Sequence, residues 1–227
     1  MVGFGSRALA AMAALASAVF AADARAQLYV AGNFGVEFIN DGDFSSSGSG
    51  TNGSGNMSFE RGFSFAGALG LSMGRFRVEG EAFYRWAGLE ELNVTTSGMQ
   101  IGTLTVAGPG VQTLSGDLTS YGGLGNVYYD IYTGTGWVPY LGIGAGVANL
   151  KLKVDSANAV AAGFSESEWV FAYQAGLGVA YQINAALAAS VGYRYFATTE
   201  ATFTVSGTDN KLEYSSHVIQ TGLRYKF

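Results

Sequence analysis

His217-Val218-Ile219-Gln220-Thr221-Gly222-Leu223-Arg224-Tyr225-Lys226-Phe227 reads in twos. Ile219, Thr221, Leu223, Tyr225 and Phe227 share one side. Val218, Gln220, Gly222, Arg224 and Lys226 share the other. That is the period of a β-strand with one apolar and one mostly polar face. The stretch closes on an aromatic residue. An exposed edge strand carrying Tyr and Phe on one face invites aggregation. The reading that follows is that this strand closes a barrel and that its apolar face meets lipid.

Composition agrees with that reading. Of 227 residues, 34 are Gly and only 2 are Pro; 48% are hydrophobic, 14% aromatic and only 13% charged. Soluble domains carry roughly a quarter charged residues. A Gly-rich, aromatic-rich and charge-poor chain suits a barrel with one face in lipid. The net charge of −5 gives a nucleic-acid partner no electrostatic support. Cys is absent, which removes disulfides, thiolate metal sites and Cys nucleophiles together. The sole histidine, His217, excludes a multi-His metal site. No cofactor motif stands out: Gly142-Ile143-Gly144-Ala145-Gly146 lacks the helix pattern a nucleotide loop requires.

The N-terminus reads as a processing segment. Arg7 supplies a positive start, Ala8 to Ala22 is an apolar run, and Ala24-Arg25-Ala26 gives an A-x-A cleavage pattern. The run is shorter than the ~20 residues a membrane-spanning helix needs. Cleavage between Ala26 and Gln27 removes Arg7, Asp23 and Arg25, leaving ten basic and sixteen acidic residues, net −6. Residues 1–26 are thus expected as a signal peptide and 27–227 as one exported domain.

Seven further stretches alternate like the last. Leu28, Val30, Phe34, Val36 and Phe38 share the first face; Phe63, Phe65, Leu69 and Leu71 the second. The third is the most informative. Phe76, Val78, Ala82, Tyr84 and Trp86 alternate with Arg77, Glu79, Glu81, Phe83 and Arg85, so four charges of both signs align on one side of a strand. Ser120–Tyr132 and Trp137–Lys151 supply the fourth and fifth, with Asn126, Tyr128 and Asp130 opposite the fourth's apolar side. Trp169–Tyr193 carries no charge. Its period is two, which gives two strands around a turn at Ile183-Asn184-Ala185 rather than one helix. Connections after strands two, four and six are short. Those at 39–62, 90–117, 153–168 and 197–215 are long. Outer-membrane barrels have that asymmetry, with short periplasmic turns and long external loops. Asn40–Asn56 reads as a flexible, solvated Ser/Gly/Asn loop. Leu92–Thr96 and Ile101–Val106 read as short strands of a hairpin projecting beyond the bilayer, a ten-stranded barrel being the alternative. Aromatics gather at both strand ends, with Phe38, Phe63, Trp86, Tyr121, Trp169 and Tyr195 on the loop side. Phe76, Trp137, Tyr181, Tyr225 and Phe227 stand on the turn side. Two such belts are interfacial girdles.

Three segments carry a resemblance: Glu79-Gly80-Glu81-Ala82-Phe83-Tyr84-Arg85, Asn126-Val127-Tyr128-Tyr129-Asp130 and Pro139-Tyr140-Leu141-Gly142-Ile143-Gly144-Ala145-Gly146. With the alternating strands and the final Phe227, the chain resembles the small outer-membrane β-barrel proteins of Gram-negative bacteria, within them the surface-antigen and opacity-protein-like barrels. It departs from the outer-membrane protein A pattern in that a peptidoglycan-binding domain is not expected after the barrel. The resemblance implies an all-β, eight-stranded antiparallel up-and-down barrel in the cell outer membrane. It also implies insertion by the outer-membrane assembly machinery, which reads a terminal strand ending in aromatics, here Tyr225 and Phe227. It does not imply a catalytic site.

Strand parity sends Glu37, Arg77, Glu79, Glu81, Arg85, Asp130, Arg194 and Arg224 inward, with Asn126, Gln174 and Gln220. Eight strands enclose an interior that side chains can fill, and buried charges need partners. A salt-bridged plug is therefore expected. Inward Gly142, Gly144, Gly146, Gly176 and Gly178 leave room for large neighbours or water, so a narrow porin-like channel is the alternative. A lipid-A-modifying enzyme would have to use His217 with Ser215, Ser216, Glu200 or Glu213; a polar strand end is the simpler account. Asp41, Asp43, Glu166, Glu168 and Asp209 lack an EF-hand pattern and read as solvated. The role this supports is a non-catalytic surface antigen or adhesin-like barrel. Its partners are outer-membrane lipid (lipopolysaccharide and phospholipid), the assembly machinery, and a host or cell-surface ligand met through the external loops. Deleting Phe227 should sharply reduce the folded, heat-modifiable band in outer-membrane fractions; normal assembly of that truncation would contradict the closing-strand reading.

Overall fold

The structure is a computed structural model that describes residues 26–40, 42–48, 53–94, 98–101, 104–107, 109–112, 116–154, 164–205 and 208–227. Of the expected signal peptide, residues 1–26, all but Ala26 lie outside them. The strands in chain order are β1 (Gln27–Ile39), β2 (Gly42–Gly48), β3 (Gly53–Phe59), β4 (Gly62–Met73) and β5 (Phe76–Val94). Next come β6 (Gly98–Ile101), β7 (Leu104–Ala107), β8 (Gly110–Gln112), β9 (Gly116–Asp130) and β10 (Trp137–Val154). The last are β11 (Phe164–Gln182), β12 (Leu187–Thr198), β13 (Ala201–Val205), β14 (Thr208–Leu212) and β15 (Ser215–Lys226).

Eight of these close on themselves in the order β1-β4-β5-β9-β10-β11-β12-β15, each antiparallel to its neighbour. The seam pairs β1 with β15 from Tyr29↔Lys226 to Ile39↔Ser216, and the Phe227 amide donates to the Leu28 carbonyl at 3.0 Å. Closure leaves no strand edge in lipid, where an unpaired backbone group has no water to turn to.

Parity sorts the side chains as expected. Phe34, Phe65, Leu69, Leu141, Ile143, Leu177, Ile219 and Leu223 are exposed on the outside, while all eight inward charges are buried. Two aromatic belts bound the apolar band. On the turn side, Phe76 meets Tyr129 at 5.2 Å, Trp137 meets Tyr181 at 4.8 Å and Tyr225 meets Phe227 at 5.4 Å. On the loop side, Tyr121 meets Trp169 edge-on at 5.9 Å. The short connection between β4 and β5 turns on Gly74, whose φ of 60° suits a residue without Cβ.

The long connections differ from their expected form. Asn40–Asn56 was expected as a flexible loop; instead β2 pairs β3 from Gly42↔Met57 to Ser46↔Gly53, and its other edge pairs β14. Ladder bonds are made by the backbone and need no apolar alternation, so a Ser/Gly-rich segment outside the membrane forms strands that its side chains do not announce. The 197–215 connection likewise contains β13 and β14. Together β13-β14-β2-β3 form a sheet that runs into the outer end of β5. There β3 joins β5 from Gly55↔Val94 to Phe59↔Leu89. β10 and β11 run beyond their expected ends, paired as far as Val154↔Phe164. The wall thus continues outward past the loop-side girdle. The strand expected over Ile101–Val106 is divided between β6 and β7, which pair with each other in a separate two-stranded sheet. The barrel wall therefore has eight strands, not ten.

Inward glycines are sites of close approach. A Cβ on Gly142 would run into the Tyr128 ring, one on Gly144 into Asn126 and Gln174, and one on Gly178 into Tyr140. A Cβ on Gly146 would meet the backbone of Gly123 and Leu124, whereas outward Gly67 has open space. Large neighbours therefore take the room these residues leave. Gly146→Val should cost about 1–3 kcal/mol through overpacking, and Gly67→Ala should stay within about 0.5 kcal/mol. Urea unfolding in lipid vesicles reads both, and equal losses would contradict this packing.

Candidate functional site

The lumen is built in layers stacked along the barrel axis. At the turn side, the Arg77 Nε–H donates to both Asp130 carboxylate oxygens at 2.9 Å, and its Nη1 reaches Glu79 at 2.8 Å. Its guanidinium lies 4.5 Å from the Tyr128 ring centre and 5.4 Å from that of Tyr140. The Tyr29 hydroxyl donates to Glu79 at 2.6 Å. Arg224 approaches Asp130 at 3.8 Å and stands 5.6 Å from the Tyr29 ring. One layer outward, Arg194 donates to Glu81 at 2.8 Å and to the Tyr128 hydroxyl at 3.2 Å. Asn126 donates to Glu81 at 3.3 Å, and Gln174 donates to Asn126 at 2.7 Å. Strand parity delivers these groups to one interior, and pairing offsets the desolvation that an isolated buried charge would suffer.

Above this network the lumen is apolar. Phe83, Leu118, Leu124, Ala148, Leu150, Leu152, Val170, Ala172 and Phe196 belong to one buried cluster, with Phe83 and Phe196 edge-to-face at 5.4 Å. Set into it is a second ion pair. Arg85, 2% exposed, lies 3.9 Å from the Phe196 ring centre and donates to Glu37 at 2.6 Å. The same Glu37 oxygen accepts the Ser216 hydroxyl and the Tyr214 hydroxyl, the latter at 2.8 Å. Tyr214 comes from the connection just before β15. Burial first, and then the Glu37 carboxylate, push its pKa well above the ordinary tyrosine value, so it stays a donor. A cavity of about 40 Å³ remains beside Arg77, Glu79, Arg194 and Arg224, and one of about 10 Å³ beside Gln174. The larger is on the scale of one or two waters.

All eight sequence-expected lumen charges are therefore inside, in two groups: Arg77, Glu79, Glu81, Asp130, Arg194 and Arg224 toward the turns, and Glu37 with Arg85 toward the loops. The apolar half and Tyr214 were not expected. Parity held the signal, because Phe83 lies between Glu81 and Arg85, Leu124 alternates with Asn126, and Phe196 with Arg194.

The groups a lipid-modifying enzyme would need are dispersed. His217 faces outward, its Nδ1 2.6 Å from the Tyr193 hydroxyl and its ring 5.4 Å from that of Tyr195. Ser216 points inward to Glu37, Ser215 accepts from Asn40 at 2.9 Å, and Glu200 pairs with Lys211 at 2.7 Å. Glu166 and Glu168 are exposed. Asp41 lies outside the described residues, as do the side chains of Asp43 and Asp209.

Solved structures of outer-membrane proteins resemble the chain. The outer membrane protein OprG from Pseudomonas aeruginosa is 16% identical, covers 88% of this chain and 95% of its own, and superposes with a TM-score of 0.55. Neisserial surface protein A is 17% identical over 88% and 97%, with a TM-score of 0.48. The outer membrane protease OmpT from Escherichia coli is 7% identical over 89% and 96%, with a TM-score of 0.44. At 16% identity the likeness to OprG is one of fold alone. No curated protein sequence matches the chain. The family model described as "Outer membrane protein beta-barrel domain" matches residues 8–227. A closed eight-stranded wall, apolar outside and ion-paired inside, and a family match along nearly its whole length lead to one conclusion: the chain belongs to the outer membrane protein beta-barrel domain family and resides in the outer membrane.

Proposed function

We propose that this protein is a non-catalytic surface-interaction barrel, an antigen- or adhesin-like protein whose working surface is the wall that continues beyond the loop-side girdle. The observation that carries the reading is the division of labour along the axis. The membrane-embedded part spends its inward residues on pairing and packing. Arg85, Glu37 and the cluster around Phe83 and Phe196 fill the section a solute would have to cross. The external part instead extends the sheet through β2, β3, β13 and β14. A paired backbone holds an external surface in one shape, which lowers the ordering cost of binding a partner. The insertion machinery, surrounding lipid and a host or cell-surface ligand are the partners this reading calls for.

Two outcomes test it. Replacing residues 42–59 and 201–212 by short turns should leave a heat-modifiable barrel in the outer membrane but abolish adherence of expressing cells to host-cell or matrix-coated surfaces. Undiminished adherence would refute the role given to the outer wall. Arg85→Ala should cost about 3–5 kcal/mol, because Glu37 is left buried without its cation. A joint Glu37→Gln/Arg85→Met change should recover much of that loss in urea unfolding. A single variant as stable as the parent would show that the ion pair does not hold the plug.

A further inference from the structure

Asn149 on β10 is out of keeping with its neighbours. It shares a parity with Ala145, Val147, Lys151 and Lys153, and its register partners are Tyr121 on β9 and Trp169 on β11. It therefore occupies the β10 position of the loop-side aromatic girdle. Asn149 is 3% exposed, and its Oδ1 has no hydrogen-bond partner. A buried carboxamide oxygen without a donor is a cost that a folded chain normally avoids. Its register partners Tyr121 and Trp169 stand on either side of it and are themselves exposed. A ligand would reach the amide by turning these exposed rings aside.

The wall above Asn149 changes character in steps. Lys151 stands between Thr119 and Ser167, and Lys153 between Asp117 and Ser165. At the rise of a strand these rows lie about 7 and 14 Å beyond Asn149. Both lysines are exposed, in a chain whose net charge is −5. The Asp117 carboxylate accepts the Trp86 indole N–H at 3.1 Å. Glu166 and Glu168 pair in register with inward Leu152 and Leu150, and so belong to the opposite side of the wall. Below Asn149 the face is Val147, Ala145, Phe171 and Tyr173, which is lipid-facing. From hydrocarbon outward the strip thus offers apolar side chains, two aromatic rings around an unsatisfied acceptor, hydroxyls, and then ammonium groups.

We propose that this face of β9–β11 is a binding site for the phosphorylated sugar headgroup of an outer-leaflet glycolipid. Its acyl chains lie along Val147 and Ala145, and the sugar packs on the Trp169 and Tyr121 rings. A sugar hydroxyl or amide N–H donates to Asn149 Oδ1, and a phosphate meets Lys151 and Lys153. Lysine binds phosphate as a point charge. The two rings select a headgroup with a sugar face to stack on them over a glycerophosphate, which carries hydroxyls but no such face. The surface is continuous with the lipid-facing wall, so the ligand is a membrane lipid and not a soluble sugar phosphate.

The test is native mass spectrometry of the intact, folded barrel in detergent, titrated with diphosphoryl lipid A and, separately, with phosphatidylglycerol. The parent should retain one lipid A, with phosphatidylglycerol weaker by about tenfold or more. Lys151→Ala/Lys153→Ala should weaken lipid A by about tenfold, the loss expected for a pair of charge-assisted contacts, and Lys151→Arg/Lys153→Arg should restore it. Asn149→Leu separates binding from folding. It removes an unsatisfied polar group, so lipid-free stability in urea should hold or rise while lipid A affinity falls by several-fold. Equal lipid A retention by the parent and the double alanine variant would overturn the proposal. So would equal affinity for phosphatidylglycerol, or a destabilised Asn149→Leu barrel that still binds lipid A as the parent does.

Discussion

Hydrocarbon offers no hydrogen bond to a peptide group and no solvation to a charge. Nearly every feature of this barrel follows from that constraint. The backbone is satisfied only if the last membrane strand pairs with the first, as β15 does with β1 over Tyr29↔Lys226 to Ile39↔Ser216. Once the wall is closed, the period of a strand leaves two destinations for side chains. Ile219, Leu223 and Leu177 go to lipid, and Arg224, Arg194 and Glu81 go to the lumen. The charges are then confined together, and each needs a counter-charge because water is scarce there too.

The lumen meets that need in two ways. Toward the turns it is a polar network in which Asp130, Glu79 and Glu81 are divided among Arg77, Arg194 and Arg224. Toward the loops it is a hydrophobic core of the ordinary kind, with Phe83, Leu124 and Phe196 packed around a single ion pair. Tyr214 links this core to the external wall, since it leaves the connection before β15 to donate to Glu37. The outer wall is thus anchored by a buried hydrogen bond as well as by its strands.

The membrane part of the fold was legible in the sequence because lipid enforces a clean alternation. A strand such as Phe76–Trp86 can have no other reading once its charges fall on every second residue. The eight lumen charges follow from the same parity. The outer wall was not legible: Gly42–Gly48 and Gly53–Phe59 stand beyond the bilayer, so no lipid face imposes a pattern on their serines and glycines. The apolar half of the lumen was less legible for a subtler reason. Phe83 and Phe196 lie on the same parity as Glu81, Arg85 and Arg194, and parity alone does not separate a polar layer from an apolar one. Asn149 was hidden in the opposite sense, as a polar residue on the lipid parity.

Side chains leave only small cavities in the lumen and block its cross-section, and electrical recording from the purified, folded protein in planar bilayers tests that block most directly. The packing predicts a silent membrane, with no discrete steps at any applied voltage that the bilayer tolerates. A reproducible single-channel step, scaling with protein added and lost on denaturation, would contradict it.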